Sequence, residues 1–121
     1  MAQELQVIGD FYDLTHYLVG RIGKFPRHHR HSLGSDMEHR LQAILALLIR
    51  AKYAGGGDDK TTLLRAANVE LEVLRFQLRL AKDLAALPQH SHGHAIKLAG
   101  QVGTQVGGWL KSLGKPARPR P

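Results

Sequence analysis

The chain contains no cysteine, which removes disulfides, thiolate zinc sites and cysteine nucleophiles together. Aromatic residues are sparse, with three Phe, three Tyr and one Trp among 121 residues. The aromatic interleaving that stacks exposed bases in single-strand binders is therefore largely missing. Phe25 and Phe76 are the aromatics set among basic residues, and Phe25 falls on a core position, so base-specific reading is not expected. No apolar run approaches the roughly 20 residues of a membrane span. The start, MAQELQVIGDFYD, lacks the basic opening and unbroken apolar run of a signal peptide. These absences predict a soluble, unprocessed chain; the lack of cysteine leaves the compartment open, with a reducing cytoplasm as the default expectation. Alternating β-branched runs are lacking too, which leaves an all-α fold.

What is abundant is positive charge. Lys and Arg total 17 against 10 Asp and Glu, a formal +7 before any of the eight histidines protonates, so polyanions are the natural partners. The length suits one domain that buries about two-thirds of its unfolded surface.

Four segments carry apolar residues at steps of three and four. The first runs Ile8, Phe11, Thr15, Leu18, Ile22, Phe25 and stops at Pro26. The second runs Met37, Leu41, Ile44, Leu48, Ala51, widened by Leu45 and Ile49, with Ser32 or Ser35 as N-cap and a capping box between Ser35 and Glu38. Gly55 to Gly57 end it. Asp58 or Asp59 caps the third, whose stripe is Leu64, Ala67, Leu71, Leu74, Leu78, Ala81, Ala85. Pro88 opens the fourth, with Ile96, Ala99, Gly103, Val106, Leu110, Leu113 on one face. Its glycines each cost a solvated helix about 1 kcal/mol and suggest close neighbours along the ridge Ala95, Ala99, Gly103, Gly107, with Trp109 beside it as anchor; core filling inside one bundle explains the pattern equally well. Short connections make an antiparallel up-down-up-down four-helix bundle the simplest way to bury all four stripes. Residues 1–113 are expected to form that domain, with loose ends over Met1 to Gln6 and in a Pro-rich basic tail, 114–121.

Basic residues gather in three groups. Lys24, Arg27 and Arg30 mix with His28, His29 and His31 and no acid. Arg75, Arg79 and Lys82 lie along one edge of the third helix's apolar stripe, where long stems can snorkel outward. Lys97, Lys111 and the tail KPARPRP form the third, and no acidic residue follows Asp83. Such groups hold phosphates without reading sequence, or they are ordinary solvated surface with exposed pairs such as Glu72 with Arg75.

The histidines invite a metal reading, but only His28 with His31 and His90 with His94 have helical ligand spacing, and neither pair has a carboxylate nearby in sequence. No metal or cofactor is expected. No nucleophile turn, strand-linked glycine loop or unassigned carboxylate pair supports an enzyme: Asp58 and Asp59 serve a helix start, and Gly55 to Gly57 lack the lysine and hydroxyl of a phosphate loop.

In order along the chain, FPRHHRHSLGSDMEHRLQAILALLIRAKYA, LLRAANVELEVLRFQLRLAKDLAAL and VGGWLKSL resemble the accessory variability determinant proteins of diversity-generating retroelements, over roughly Asp10 to Leu113. The most specific pieces are Leu33–Gly34, the stretch from Leu74 to Asp83, and Gly107, Gly108, Trp109. The resemblance implies a four-helix, basic, barrel-like homopentamer, non-catalytic itself, that binds the element's reverse transcriptase and template RNA to support mutagenic copying. Carried over by position, Arg75, Arg79 and Lys82 match the family's basic stretch on the third helix, and Arg27 and Arg30 its basic entry to the second. With Lys97 and Lys111 they are the candidate nucleic-acid or partner contacts. The histidine-rich loop departs from the family pattern. A four-helix family encoded in ribosomal RNA intervening sequences shares the general pattern and is the alternative, as is a purely structural interaction bundle without nucleic-acid binding.

Overall fold

A computed structural model describes residues 2–114, with the side chain of Ala2 left aside. Among them there is no strand. Four long helices, α1 (Ala2–Ile22), α3 (Ser35–Tyr53), α4 (Gly57–Asp83) and α5 (Gln89–Gly114), are joined by a one-turn helix α2 (Arg27–His29) and a π-helical turn (Arg30–Gly34). Around the core α1 packs on α3, α3 on α4, α4 on α5, and α5 back on α1.

Each helix supplies a stripe to a single cluster of buried side chains. The stripes of α3 (Met37, Leu41, Ile44, Leu48, Ala51) and α4 (Leu64, Ala67, Leu71, Leu74, Leu78, Ala81) are those of the sequence reading. Leu45 is half-buried and Ile49 exposed, so α3 is narrower than expected.

On α1 the buried face is Val7, Phe11, Leu14, Leu18, Ile22 and the following Phe25. The expected Ile8 and Thr15 sit at its edge, and the Thr15 hydroxyl donates to the Phe11 carbonyl at 2.9 Å. On α5 the face is Ser91, Ala95, Ala99, Val102, Val106, Trp109. Ile96, Leu110 and Leu113 flank it half-buried, and Trp109 fills the core, the second of the two readings its position allowed. Both shifts have one cause: 3.6-residue periodicity admits two neighbouring faces, and only the partners choose between them.

The ends and turns differ from expectation in instructive ways. Residues 2–6 are helical rather than loose, with Val7 on the core holding the first turns. Of the expected tail, 114–121, Gly114 is the last residue of α5, and residues 115–121 lie outside the described residues. No capping box opens α3, because the backbone arrives already helical from the π turn and the Ser35 N–H bonds the Ser32 carbonyl. The Ser32 hydroxyl instead donates to the His28 carbonyl at 2.9 Å. Gly56, not an aspartate, is the N-cap of α4; Asp58 and Asp59 occupy its first turn, where negative charge suits the helix dipole. Lys60 reaches back to the C-terminal end of α3 and donates to the Ala51 and Lys52 carbonyls at 2.8 and 3.0 Å. Ala85 is exposed at φ 60°, outside the helix, where it reverses the chain so that Ala86 and Leu87 enter the core. Pro88 immediately precedes α5, its carbonyl accepting the His92 N–H at 2.9 Å.

Gly34 lets the π-helical turn pack closely against the end of α1 and the connection after it. A Cβ there would lie 2.8 Å from Ile22 Cγ2 and 3.3 Å from the His29 carbonyl oxygen. Gly34→Ala is expected to cost about 1–3 kcal/mol through overpacking, despite alanine's better helix propensity. Urea denaturation checks this, and unchanged stability refutes the close-approach role.

Candidate nucleic-acid interface

One edge of α4 carries Arg75, Arg79 and Lys82 at steps of four and three, so they stack along the α5 side of that helix. The register between α4 and α5 sets His92 and Ile96 of α5 opposite them. The result is an open groove of about 340 Å³ lined by Glu72, Arg75, Phe76, Arg79 and Lys82 from α4 and by His92 and Ile96 from α5. Three of the seven candidate residues thus share one concavity.

Arg75 is the best anchored. Its Nη2 donates to the Ala99 carbonyl at 3.1 Å and its Nη1 lies 3.5 Å from Glu72 Oε1. The guanidinium also occupies the space a Cβ at Gly103 would need, so Gly103 is the opening through which Arg75 reaches the α5 backbone. Arg75 therefore ties α5 to α4 as well as contributing charge. Arg79 is exposed, Lys82 half-buried.

Phe76 is 59% exposed. The scarcity of aromatics argued against a stacking surface, yet this ring stands between Arg75 and Arg79 in the chain and on the groove wall.

His92 is held below the ordinary imidazole range, first by burial and then by the Lys82 ammonium, with the Asp83 carboxylate opposing. Its Nε2 is buried without a hydrogen-bond partner. Glu72, Arg75 and Arg79 line the same groove. Because folding disfavours protonation of His92, its neutral form stabilises the fold fully above the unfolded imidazole pKa of about 6.5, and this contribution is lost as pH falls below it. The expected result is that His92→Gln flattens part of the decline in melting temperature between about pH 7 and 5. An unchanged decline assigns it to other groups.

The other candidates lie elsewhere. Arg27 and Arg30 are exposed in the connection between α1 and α3, and Arg30 Nη2 donates to the Phe25 carbonyl at 3.3 Å. Lys97 and Lys111 are exposed on α5 and do not line the groove; at about 100° per residue they project roughly opposite its buried face. Of the small-residue ridge, Ala95 and Ala99 are buried and Gly103 meets Arg75, but a Cβ at Gly107 would touch nothing within 4 Å. Close approach accounts for one of these glycines, not all.

The histidines are dispersed among local contacts. The His28 and His29 rings lie tilted against each other with centroids 3.9 Å apart, and His94 sits edge-on to Tyr17 at 4.6 Å. Among the described residues no three His, Asp or Glu side chains converge as metal ligands, and no helix is long and apolar enough to cross a membrane.

The sequence reading missed His92 and Ile96 as groove residues. Their i, i+4 spacing placed them on one side of α5, but only the packing of α5 on α4 brings them to the arginines. No curated protein matches the chain. A family model described as bAvd-like matches residues 5–113, which spans all four long helices and the groove between α4 and α5. The chain therefore belongs to the bAvd-like family, that of the accessory variability determinants.

Proposed function

We propose that this chain is a non-catalytic accessory protein of a diversity-generating retroelement, acting in the cytoplasm. It binds the element's reverse transcriptase and template RNA through a basic surface and supports mutagenic cDNA synthesis. The observation that carries this reading is the convergence of Arg75, Arg79 and Lys82 on one open groove in a chain of the bAvd-like family. Cations so spaced contact successive phosphates without reading bases; Arg27, Arg30, Lys97 and Lys111 extend the field over neighbouring surface and raise the rate of encounter.

Self-assembly belongs to the same reading, with residues 1–113 as an antiparallel up-down-up-down bundle and 114–121 as a basic extension. Two apolar lines in the single chain support it. Leu5, Tyr12 and Val19 recur every seven residues on the outside of α1, and Val69 and Val73 stand on the outside of α4 ahead of Phe76. Two different faces that fit each other on successive copies generate a closed ring when the rotation permits, consistent with the homopentamer implied by the family.

Light scattering coupled to size exclusion tests the proposal on tag-free protein. The expected mass is near five chains, shifting on addition of template-region RNA, less at higher salt, and the reverse transcriptase should co-elute. A monomer indifferent to both RNA and enzyme overturns the proposal.

A further inference from the structure

Resting on that reading, we infer that the α4–α5 groove receives an unpaired nucleotide, its base stacked on Phe76 and its phosphate between Arg79 and Lys82. Four observations converge. Phe76 presents a largely exposed ring. It shares the groove with three cationic side chains, of which Arg75 is engaged by Ala99 and Glu72, leaving Arg79 and Lys82 as the phosphate contacts. Ile96 gives the opposite wall an apolar surface against which a base can lie. His92 lines the same groove, adding a polar ring beside Ile96 on the α5 wall.

The available volume, about 340 Å³, lies at the small end for ligand pockets and suits one nucleotide rather than a helical segment. A paired base is stacked on its neighbours and offers no free face. An A-form duplex presents phosphates and 2′-hydroxyls instead. A cationic groove with one exposed ring therefore discriminates by base availability rather than by base identity, because every base has a π-face.

The test compares a short unstructured RNA with a blunt RNA duplex of equal length, each titrated by fluorescence anisotropy against the assembled protein. Phe76→Leu keeps the apolar bulk and removes the ring; it is expected to weaken the unstructured RNA roughly five- to a hundred-fold, to leave the duplex within about twofold, and to leave the salt dependence unaltered. Phe76→Tyr restores binding. Arg79→Gln, by contrast, weakens both ligands and makes the salt dependence shallower by about one phosphate contact. Phe76→Trp adds an emission signal over the buried Trp109 that unstructured RNA should quench.

Equal losses for both RNAs in Phe76→Leu overturn the stacking role while leaving the RNA-binding reading intact. So does an added emission in the Phe76→Trp variant that is already shielded in the free protein and unmoved by RNA, which assigns the ring to contact with a second copy. A wild-type protein that binds neither RNA removes the functional reading and this inference with it.

Discussion

Replacing Arg75, Arg79 and Lys82 together by Gln is expected to lower RNA affinity about 30-fold near physiological salt and to reduce the slope of log affinity against log salt by about 2. The arithmetic follows from counterion release, in which each neutralised phosphate contributes a slope of about 0.7 on single strands and about 0.9 on duplex. Three cations lie in one groove. Arg75, however, already spends its donors on Ala99 and Glu72 and counts for less than a full contact. The fold should survive, since Arg79 is exposed, Lys82 half-buried and loss of the Arg75 hydrogen bond costs about 1 kcal/mol. Circular dichroism and melting checks, run beside the binding titration, separate the two effects. An unchanged affinity in a folded triple variant shows that RNA binds elsewhere, with Arg27, Arg30, Lys97 and Lys111 the next residues to neutralise.

The same residues show how far sequence carries. Arg75, Arg79 and Lys82 were legible as an edge beside the α4 stripe because spacing alone fixes the angle between side chains on one helix. What they face is a relation between two helices, and His92 and Ile96 entered only with the register of α5 on α4. The stripes of α3 and α4 were legible for a related reason: each buried stripe runs unbroken at steps of three and four along its helix. On α1, Val7 and Leu14 compete with Ile8 and Thr15; on α5, Ala95, Val102 and Trp109 compete with Ile96, Gly103 and Leu110. There the packing partner decided. Capping signals failed where the chain did what they forbid: Ser35 could not cap a helix entered through a π turn.

The helix with the poorest intrinsic propensity carries half the groove, which makes its attachment the largest single stability effect to test. Between Gln89 and Gly114, α5 holds Gly93, Gly100, Gly103, Gly107, Gly108 and its terminal Gly114. Each interior glycine costs about 1 kcal/mol relative to alanine, and no Cβ contact would arise at Gly93, Gly100 or Gly107 to offset it. The helix must therefore be held by its buried face. That face is made of small side chains, Ser91, Ala95, Ala99, Val102 and Val106, with one large exception, Trp109 at 2% exposure. Trp109→Ala is expected to destabilise the protein by about 3–5 kcal/mol through lost burial and a residual cavity, roughly a third or more of a typical domain's stability. Guanidinium denaturation gives the magnitude, and hydrogen exchange should show α5 amides losing protection ahead of those of α3. RNA binding should fall as well, because a loosened α5 takes with it the Ala99 carbonyl that holds Arg75 and the His92–Ile96 wall. Trp109→Phe, which keeps the ring packing, should recover most of both. If Trp109→Ala melts like wild type, α5 is held by its contacts with Arg75 and Tyr17 rather than by its largest core residue, and the groove is stabilised from the α4 side.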